Sequence, residues 1–400
     1  GTNNKYAFFP SVALAWNINS EKFMAGTSKW LDQLKLRLSY GSNGNQAISP
    51  YQTLDRLSAV KKYLFGDEAT PVNGVYLPTN GVGNPNLKWE TTNTFNAGLD
   101  YSFLNGRLLG SFDFYVSNTK DLLMSRSVPY MNGYRSIMDN IGSTRNIGLE
   151  FVLTSVNIRN KDFEWRTTFN LAWNKDEITK LADNATQDLT NKWFVGESSR
   201  VYYDYNVVGT WQTNEATWDA TKKKYINADG KEIQKGAVPG SAKLEDVNGD
   251  GVIDSNDKKV IGSKLPSITS ALTNNFAYKN VYASFVLTGL FGQWRQMHDY
   301  NFDRWMPEFN YLSGMNYWTE DNPTNEMTSP VYVPFNKHGF YKRMNYVHIK
   351  NVTLGYRLPK EWANSLGLQS IKCDLSVNNL YTFSNIKNAL NFDSTQDDEK

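Results

Sequence analysis

The 400-residue chain carries a formal net charge of +2 and one cysteine, Cys373, so it has neither the basic surplus of a nucleic-acid binder nor an intrachain disulfide framework. Aromatic residues are 14% and hydrophobic residues only 40%, with a mean hydropathy of −0.54, which suits thin apolar bands and long polar loops better than one thick core. No run of ~18 apolar residues occurs, which excludes a transmembrane helix but not a membrane strand, whose apolar residues merely alternate.

The chain opens in polar sequence, Gly1 to Lys5, with no signal peptide. If the protein is exported, its N-terminus is expected upstream. Residues 8–18 read as a strand with Val12, Leu14, Trp16 and Ile18 on one face, and 34–40 as a second, in which Leu and Tyr alternate with Lys, Arg and Ser. An irregular stretch, 41–88, follows. From Trp89 to Val116 the pattern predicts one long hairpin turning at Asn105-Gly106, a pair that tolerates positive φ. Folding there pairs Phe103 with Leu108, Tyr101 with Gly110, Leu99 with Phe112, Ala97 with Phe114 and Phe95 with Val116. After a second long stretch, 117–145, residues 147–153 and 163–173 form another hairpin. The longest excursion, 174–266, is expected to hold a strand of its own at 201–211. A third hairpin joins 268–278 to 281–291 through Lys279-Asn280, and the loop 292–345 leads to strands at 352–358 and 371–377.

These ten strands have connections that alternate strictly in length. Short turns fall at 19–33, 104–107, 157–162, 279–280 and 359–369; long loops fall at 41–88, 117–145, 174–266 and 292–345. If each strand crosses once, every short turn lies on one side and every long loop on the other, the layout of an outer-membrane barrel. Trp89 and Trp173 fall at the loop ends, and Trp16, Trp165 and Phe103 at the turn ends, as two interfacial aromatic bands would require. The fold expected is all-β: an antiparallel up-and-down transmembrane β-barrel, of which this chain supplies about ten strands. A soluble, calcium-binding β-sheet protein that binds or hydrolyses carbohydrate is the competing reading of the same pattern.

The sharpest local motif is Asp246-Val247-Asn248-Gly249-Asp250-Gly251-Val252-Ile253-Asp254-Ser255-Asn256-Asp257. Asp246, Asn248, Asp250, Asp254 and Asp257 stand at positions 1, 3, 5, 9 and 12, with Gly251 at 6 and the Val252 carbonyl at 7. That spacing lets a tight loop wrap Ca²⁺ in hard oxygen donors. Position 12 is Asp rather than Glu and no helical pattern flanks the loop, so the motif is EF-hand-like and its expected role is to stiffen an outer loop. Asp100 and Asp113 fall diagonally across the first hairpin, ~7–8 Å apart on its polar face, a separation an acid–base pair could use. Nothing else supports catalysis, and polar lining accounts for both. His298, His338 and His348 lack metal-ligand spacing, and Gly81-Val82-Gly83 runs into Asn84-Pro85 as a turn rather than a phosphate loop. The loop aromatics Trp294, Trp305, Tyr311, Tyr317 and Trp318 could stack on substrate or pack on a partner.

Several blocks, in order along nearly the whole chain, resemble the SusC/RagA family of TonB-dependent outer-membrane transporters of Bacteroidota. They are Phe9-Pro10-Ser11-Val12 with Trp16, Leu36 to Gly41 with Gly44-Asn45-Gln46, Asn84 to Glu90, Gly142 with Asn146 to Glu150, Asp246 to Gly251, Ile349 to Tyr356 with Leu358-Pro359, and Asn379-Leu380. The resemblance implies a plugged barrel of ~22 strands. The plug, the TonB-contacting segment and the first strands are then expected before Gly1, and the closing strand after Lys400. It also implies active uptake of glycans or peptides with a SusD-like surface lipoprotein, TonB as the energy source, outer-membrane lipid around the wall, and no enzymatic role.

Overall fold

In the computed structural model, residues 6–46, 53–55, 58–65, 70–76, 82–129, 131, 136–297, 315–330 and 338–386 are described. Two compact units emerge: one comprising 1–199, 267–290 and 346–400, the other 200–266 and 291–345.

The first unit is built on a ten-stranded sheet. Its strands are β1 (Ser11–Asn17), β2 (Leu31–Asn45), β3 (Glu90–Phe103), β4 (Leu108–Ser127), β5 (Ser136–Arg159), β6 (Phe163–Lys180), β7 (Ile268–Tyr278), β8 (Val281–Gln296), β9 (Tyr341–Arg357) and β10 (Lys372–Ser384). They follow one another in chain order across the sheet, with β1 and β10 at its edges. All ten are the strands that the alternation predicts. The five pairs expected in the first hairpin, Phe103–Leu108 through Phe95–Val116, form in that register.

The register aligns the apolar residues into rows that cross the strands. One row runs Trp16–Leu36–Leu99–Phe112–Phe151–Leu171, another Leu14–Leu38–Ala97–Phe114–Leu149–Trp173–Ile268. Because side chains alternate sides with period two, the opposite face carries Arg37–Gly98–Asp113–Glu150–Ala172–Thr269. Among the described residues no protein layer covers the apolar face: Leu14 is 68% exposed, Leu354 55% and Leu375 70%. On β4 the apolar stretch from Leu108 to Val116 is about the ~9–11 residues a tilted strand needs to cross a bilayer.

The polar face is braced by side chains laid across neighbouring strands. Tyr115 lies flat over Gly148, where any Cβ would come within 2.2 Å of its ring, and its hydroxyl donates to Asn174 Oδ1 at 3.1 Å. On the apolar face, buried Asn274 accepts from Trp165 Nε1 (2.8 Å) and Thr167 Oγ1 (2.6 Å) through one oxygen. Such satisfaction is obligatory where no water can substitute.

Three elements depart from expectation. The stretch 117–145 is not irregular: β4 continues to Ser127 and β5 starts at Ser136, paired along the way by Ser117–Asn146, Thr119–Thr144 and Lys120–Ser143. β9 likewise begins at Tyr341 rather than 352. Ser117 to Lys120 and Ser143 to Asn146 are polar on both faces, and further out apolar residues such as Leu122 and Leu123 run consecutively, which erases the alternation while leaving the backbone ladder intact. The first hairpin turns over 104–107 as expected, with Leu104 as well as Asn105 and Gly106 at positive φ. Residues 41–88 contain a small hairpin, Ser58–Phe65 with Thr70–Tyr76.

The second unit has its own core. The predicted strand at 201–211 is two pieces in two small sheets: Val201–Asp204 pairs with Lys259–Ser263, and Val207–Thr210 with Ala242–Leu244. Tyr205, Leu244 and Ile253 form one buried cluster; Trp211, Tyr225 and Ala237 form the other. Gln234, 2% exposed, ties the strands by accepting from Trp211 Nε1 and Leu244 N while donating to Ala242 O. Burial pushes the Tyr225 hydroxyl far up, consistent with its use as a neutral donor to Gln212 O.

Candidate functional site

The polar face of the sheet is the surface that can meet a hydrated solute. Its most organised feature is Arg37 on β2, which reaches Asp100 on β3 with Nε (3.0 Å) and Nη2 (2.9 Å) and Asp113 on β4 with Nη2 (3.0 Å). The guanidinium crosses over Gly98: a Cβ there would lie 2.5 Å from Asp113 Oδ1 and 2.7 Å from Arg37 Cζ. Glycine in this strand interior therefore provides space for a close approach. Asp100 and Asp113 are held by one cation, a forked arrangement suited to Arg. This is the geometry of a structural clamp on polar lining. The sequence spots both carboxylates but not Arg37, which comes from 63 and 76 residues away.

Along the same face a shallow cleft of about 390 Å³ opens beside Glu150, Asn170, Thr269, Thr288, Tyr346 and Lys350. Its mixture of amide, hydroxyl and opposite charges can hydrogen-bond a polar solute without committing to one chemistry. Deep apolar enclosure, the usual mark of a small-molecule catalytic pocket, is not its character.

The 246–257 loop folds as a tight wrap. Asp246 accepts from the backbone N–H of Gly249 and Gly251, Asp250 from Val252, Asp254 from Asn256, and fully buried Asp257 from Val247 and Asp254. Gly249 and Gly251 sit at φ +75° and +76°. Ile253 is pinned by its N–H to Ile233 O at 2.6 Å and buried at the core. These residues fit a hard cation by donor chemistry, since each carboxylate oxygen keeps a second lone pair. Among the described residues, though, the carboxylates are turned onto backbone N–H groups and nowhere gather in a group of three.

Trp318 is buried, its Nε1 donating to Gln212 Oε1 at 2.8 Å, so its ring shapes the loop unit. Trp294 is half-buried against Gly262. Trp305, Tyr311, His298 and Gly81 lie outside the described residues. His348 has both ring nitrogens engaged, by Thr382 Oγ1 and Asn379 Oδ1, and His338 is buried beside Phe340.

An antiparallel, up-and-down sheet of long strands, apolar and uncovered on one face and hydrogen-bonded and charged on the other, is the wall of an outer-membrane β-barrel. The family described as "TonB dependent receptor-like, beta-barrel" matches residues 1–254, and the chain belongs to it. Its relatives fit the SusC/RagA branch. It is 33% identical to TonB-dependent receptor P26 of Formosa agariphila over 406 residues, covering 96% of this chain and 39% of that protein. It is 30% identical to TonB-dependent receptor SusC of Bacteroides thetaiotaomicron over 375 residues, covering 90% and 35%. The structure of the RagAB peptide transporter matches with a TM-score of 0.76 at 24% identity, over 96% of this chain and 41% of that one. The chain thus spans under half the length of the curated relatives it matches. Its location is the outer membrane, and the soluble reading falls with that finding. The family is one of receptors and transporters rather than enzymes.

Proposed function

We propose that the protein to which this wall belongs actively imports glycans or peptides, drawing energy through TonB and receiving substrate from a SusD-like surface lipoprotein. The observation that carries this reading is the polar face: a braced, water-compatible surface of amides, hydroxyls and paired charges, backed by rows that only acyl chains cover. The relatives named SusC and RagAB support the transport class. Among the described candidates, Trp294, which lies at the end of β8 rather than in the loop expected from 292, retains surface for a substrate or partner.

The test is uptake by the full-length protein in its own outer membrane. A deletion strain should lose growth on one class, oligosaccharides or peptides, and regain it with the intact gene but not with one lacking the TonB-contacting segment. Unchanged growth on every oligosaccharide and peptide of a panel would overturn the reading.

We also infer that the 246–257 loop takes one Ca²⁺ through Asp246, Asn248, Asp250, the Val252 carbonyl, Asp254 and Asp257, stiffening an outer loop. Calorimetric titration of the full-length protein should show one site lost in Asp250→Asn. Absence of heat at millimolar Ca²⁺ would count against it.

A further inference from the structure

A groove of about 550 Å³ opens on the face of the sheet opposite the clamp, at the loop ends of β2 to β6. Three successive cross-strand rows build it. The lowest is apolar, Tyr40–Phe95–Val116–Ile147. Two residues further along each strand comes an amide and guanidinium row, Asn93–Asn118–Arg145, and two further again a row with Lys120, Ser143 and Lys180. Arg145 Nε donates to Asn118 Oδ1 at 3.0 Å, holding the guanidinium over the groove. Lys120 and Lys180 are exposed. Among the described residues, no carboxylate lines the groove. Glu177, the acidic group next to it in the Arg145 row, is shared by Arg145 (3.7 Å) and Lys175 (3.5 Å).

This surface belongs to the lipid-facing side, continuous with the apolar rows, so a water-borne solute is not its natural occupant. Val116 and Lys120 are four residues apart on one strand, ~13 Å at ~3.3 Å per residue. That separation sets cations at headgroup depth when the aromatic shelf lies among acyl chains. The loop side of an outer-membrane barrel is the outer leaflet.

We propose that this groove binds one phosphorylated glycolipid of the outer leaflet, of the lipid A type. Its phosphates meet Lys120, Arg145 and Lys180, its sugar hydroxyls meet Asn93 and Asn118, and its acyl chains descend over Tyr40, Phe95 and Val116. A zwitterionic phospholipid balances its phosphate with its own ammonium group, so it brings no net negative charge to this excess of cations. The inference rests on the outer-membrane location and not on transport.

The test uses the full-length protein, purified in mild detergent, stripped of lipid and titrated with lipid A, with dephosphorylated lipid A and with phosphatidylglycerol, bound lipid being read by native mass spectrometry. Each cation near an anionic lipid surface is worth roughly fivefold in affinity, so K120Q/R145Q/K180Q should bind lipid A on the order of a hundredfold more weakly. Dephosphorylated lipid A on the wild type should show a comparable loss. Equal binding by the triple variant, equal binding of the dephosphorylated lipid, or phosphatidylglycerol held as tightly as lipid A would each overturn the proposal. Heat-modifiable migration reports folding. If the triple variant does not fold, K120Q and K180Q alone each carry the test, with about a fivefold loss expected.

Discussion

Gly98→Ala is a small change with a large geometric consequence. Its new Cβ would sit 2.5 Å from Asp113 Oδ1 and 2.7 Å from Arg37 Cζ and Nη2, so the guanidinium must leave the position from which it bridges β3 and β4. A hydrogen bond to a charged group is worth ~1.5–3 kcal/mol net. The Arg37 side chain is 34% exposed and Asp113 19%, so solvent screening argues for the lower end. Against this, replacing glycine by alanine in a strand gains roughly 0.5–1 kcal/mol of backbone entropy. The net expectation is a loss of about 1 kcal/mol in the wild-type background. In Arg37→Met no ion pair remains to break, and both the thioether and the released Asp113 carboxylate can turn away from the new methyl, so Gly98→Ala should there be neutral or slightly stabilising. The coupling from this double-mutant cycle should be about 1.5–2 kcal/mol. Urea unfolding of the full-length protein in lipid vesicles, followed by tryptophan fluorescence, measures it. Equal effects of Gly98→Ala in both backgrounds would refute the clamp and leave Gly98 a passive strand residue.

Asn274→Leu strips the acceptor shared by Trp165 Nε1 and Thr167 Oγ1 on the apolar face, and should cost about 1–3 kcal/mol in the same unfolding assay, with Trp165→Phe/Asn274→Leu recovering part of it. Glu245 and Lys259 flank the 246–257 loop and meet at 2.6 Å; the hydrogen bond from Lys259, then that from Asn206, holds the Glu245 carboxyl below the usual range. A depressed folded-state pKa contributes stability that is fully present above the ordinary glutamate value of ~4.3 and disappears as pH falls through the lower folded value. Amide exchange in 246–257 should therefore accelerate, beyond its intrinsic pH dependence, below about pH 4 in the wild type. In Glu245→Gln that pH-dependent increment should be missing. An identical pH profile in the two proteins would remove Glu245 from the account.

What the sequence discloses follows from which physical constraint each residue answers to. Strand residues between acyl chains and water must alternate, so Phe95, Leu99 and Phe103 on β3 and Val116, Phe112 and Leu108 on β4 announce both strands and their register. Beyond the acyl chains that constraint lapses. Lys120 and Ser143 on one side and Thr119 and Thr144 on the other are all polar, and the ladder they continue leaves no pattern to read. The interior clamp is half legible: Asp100 and Asp113 fall on the polar face by parity alone. Their partner, by contrast, is one of two cations on β2, and only the gap at Gly98 selects Arg37 rather than Lys35. The loop tryptophans show the same limit. Composition places Trp318 in a loop, but its burial depends on Gln212, a contact 106 residues distant.

The apolar and polar faces also differ in what holds them. Rows such as Leu36–Leu99–Phe112–Phe151 make no directional bonds and rely on surrounding lipid, so conservative apolar exchanges there should be tolerated. The opposite face has no such cover. It is fixed by directional contacts across strands, Arg37 over Gly98 and Tyr115 over Gly148, which cost specific glycines and specific partners. Such a wall fixes its inner surface by contacts within the sheet itself, so the hydroxyls and amides of the polar face are held in place by the strands that carry them.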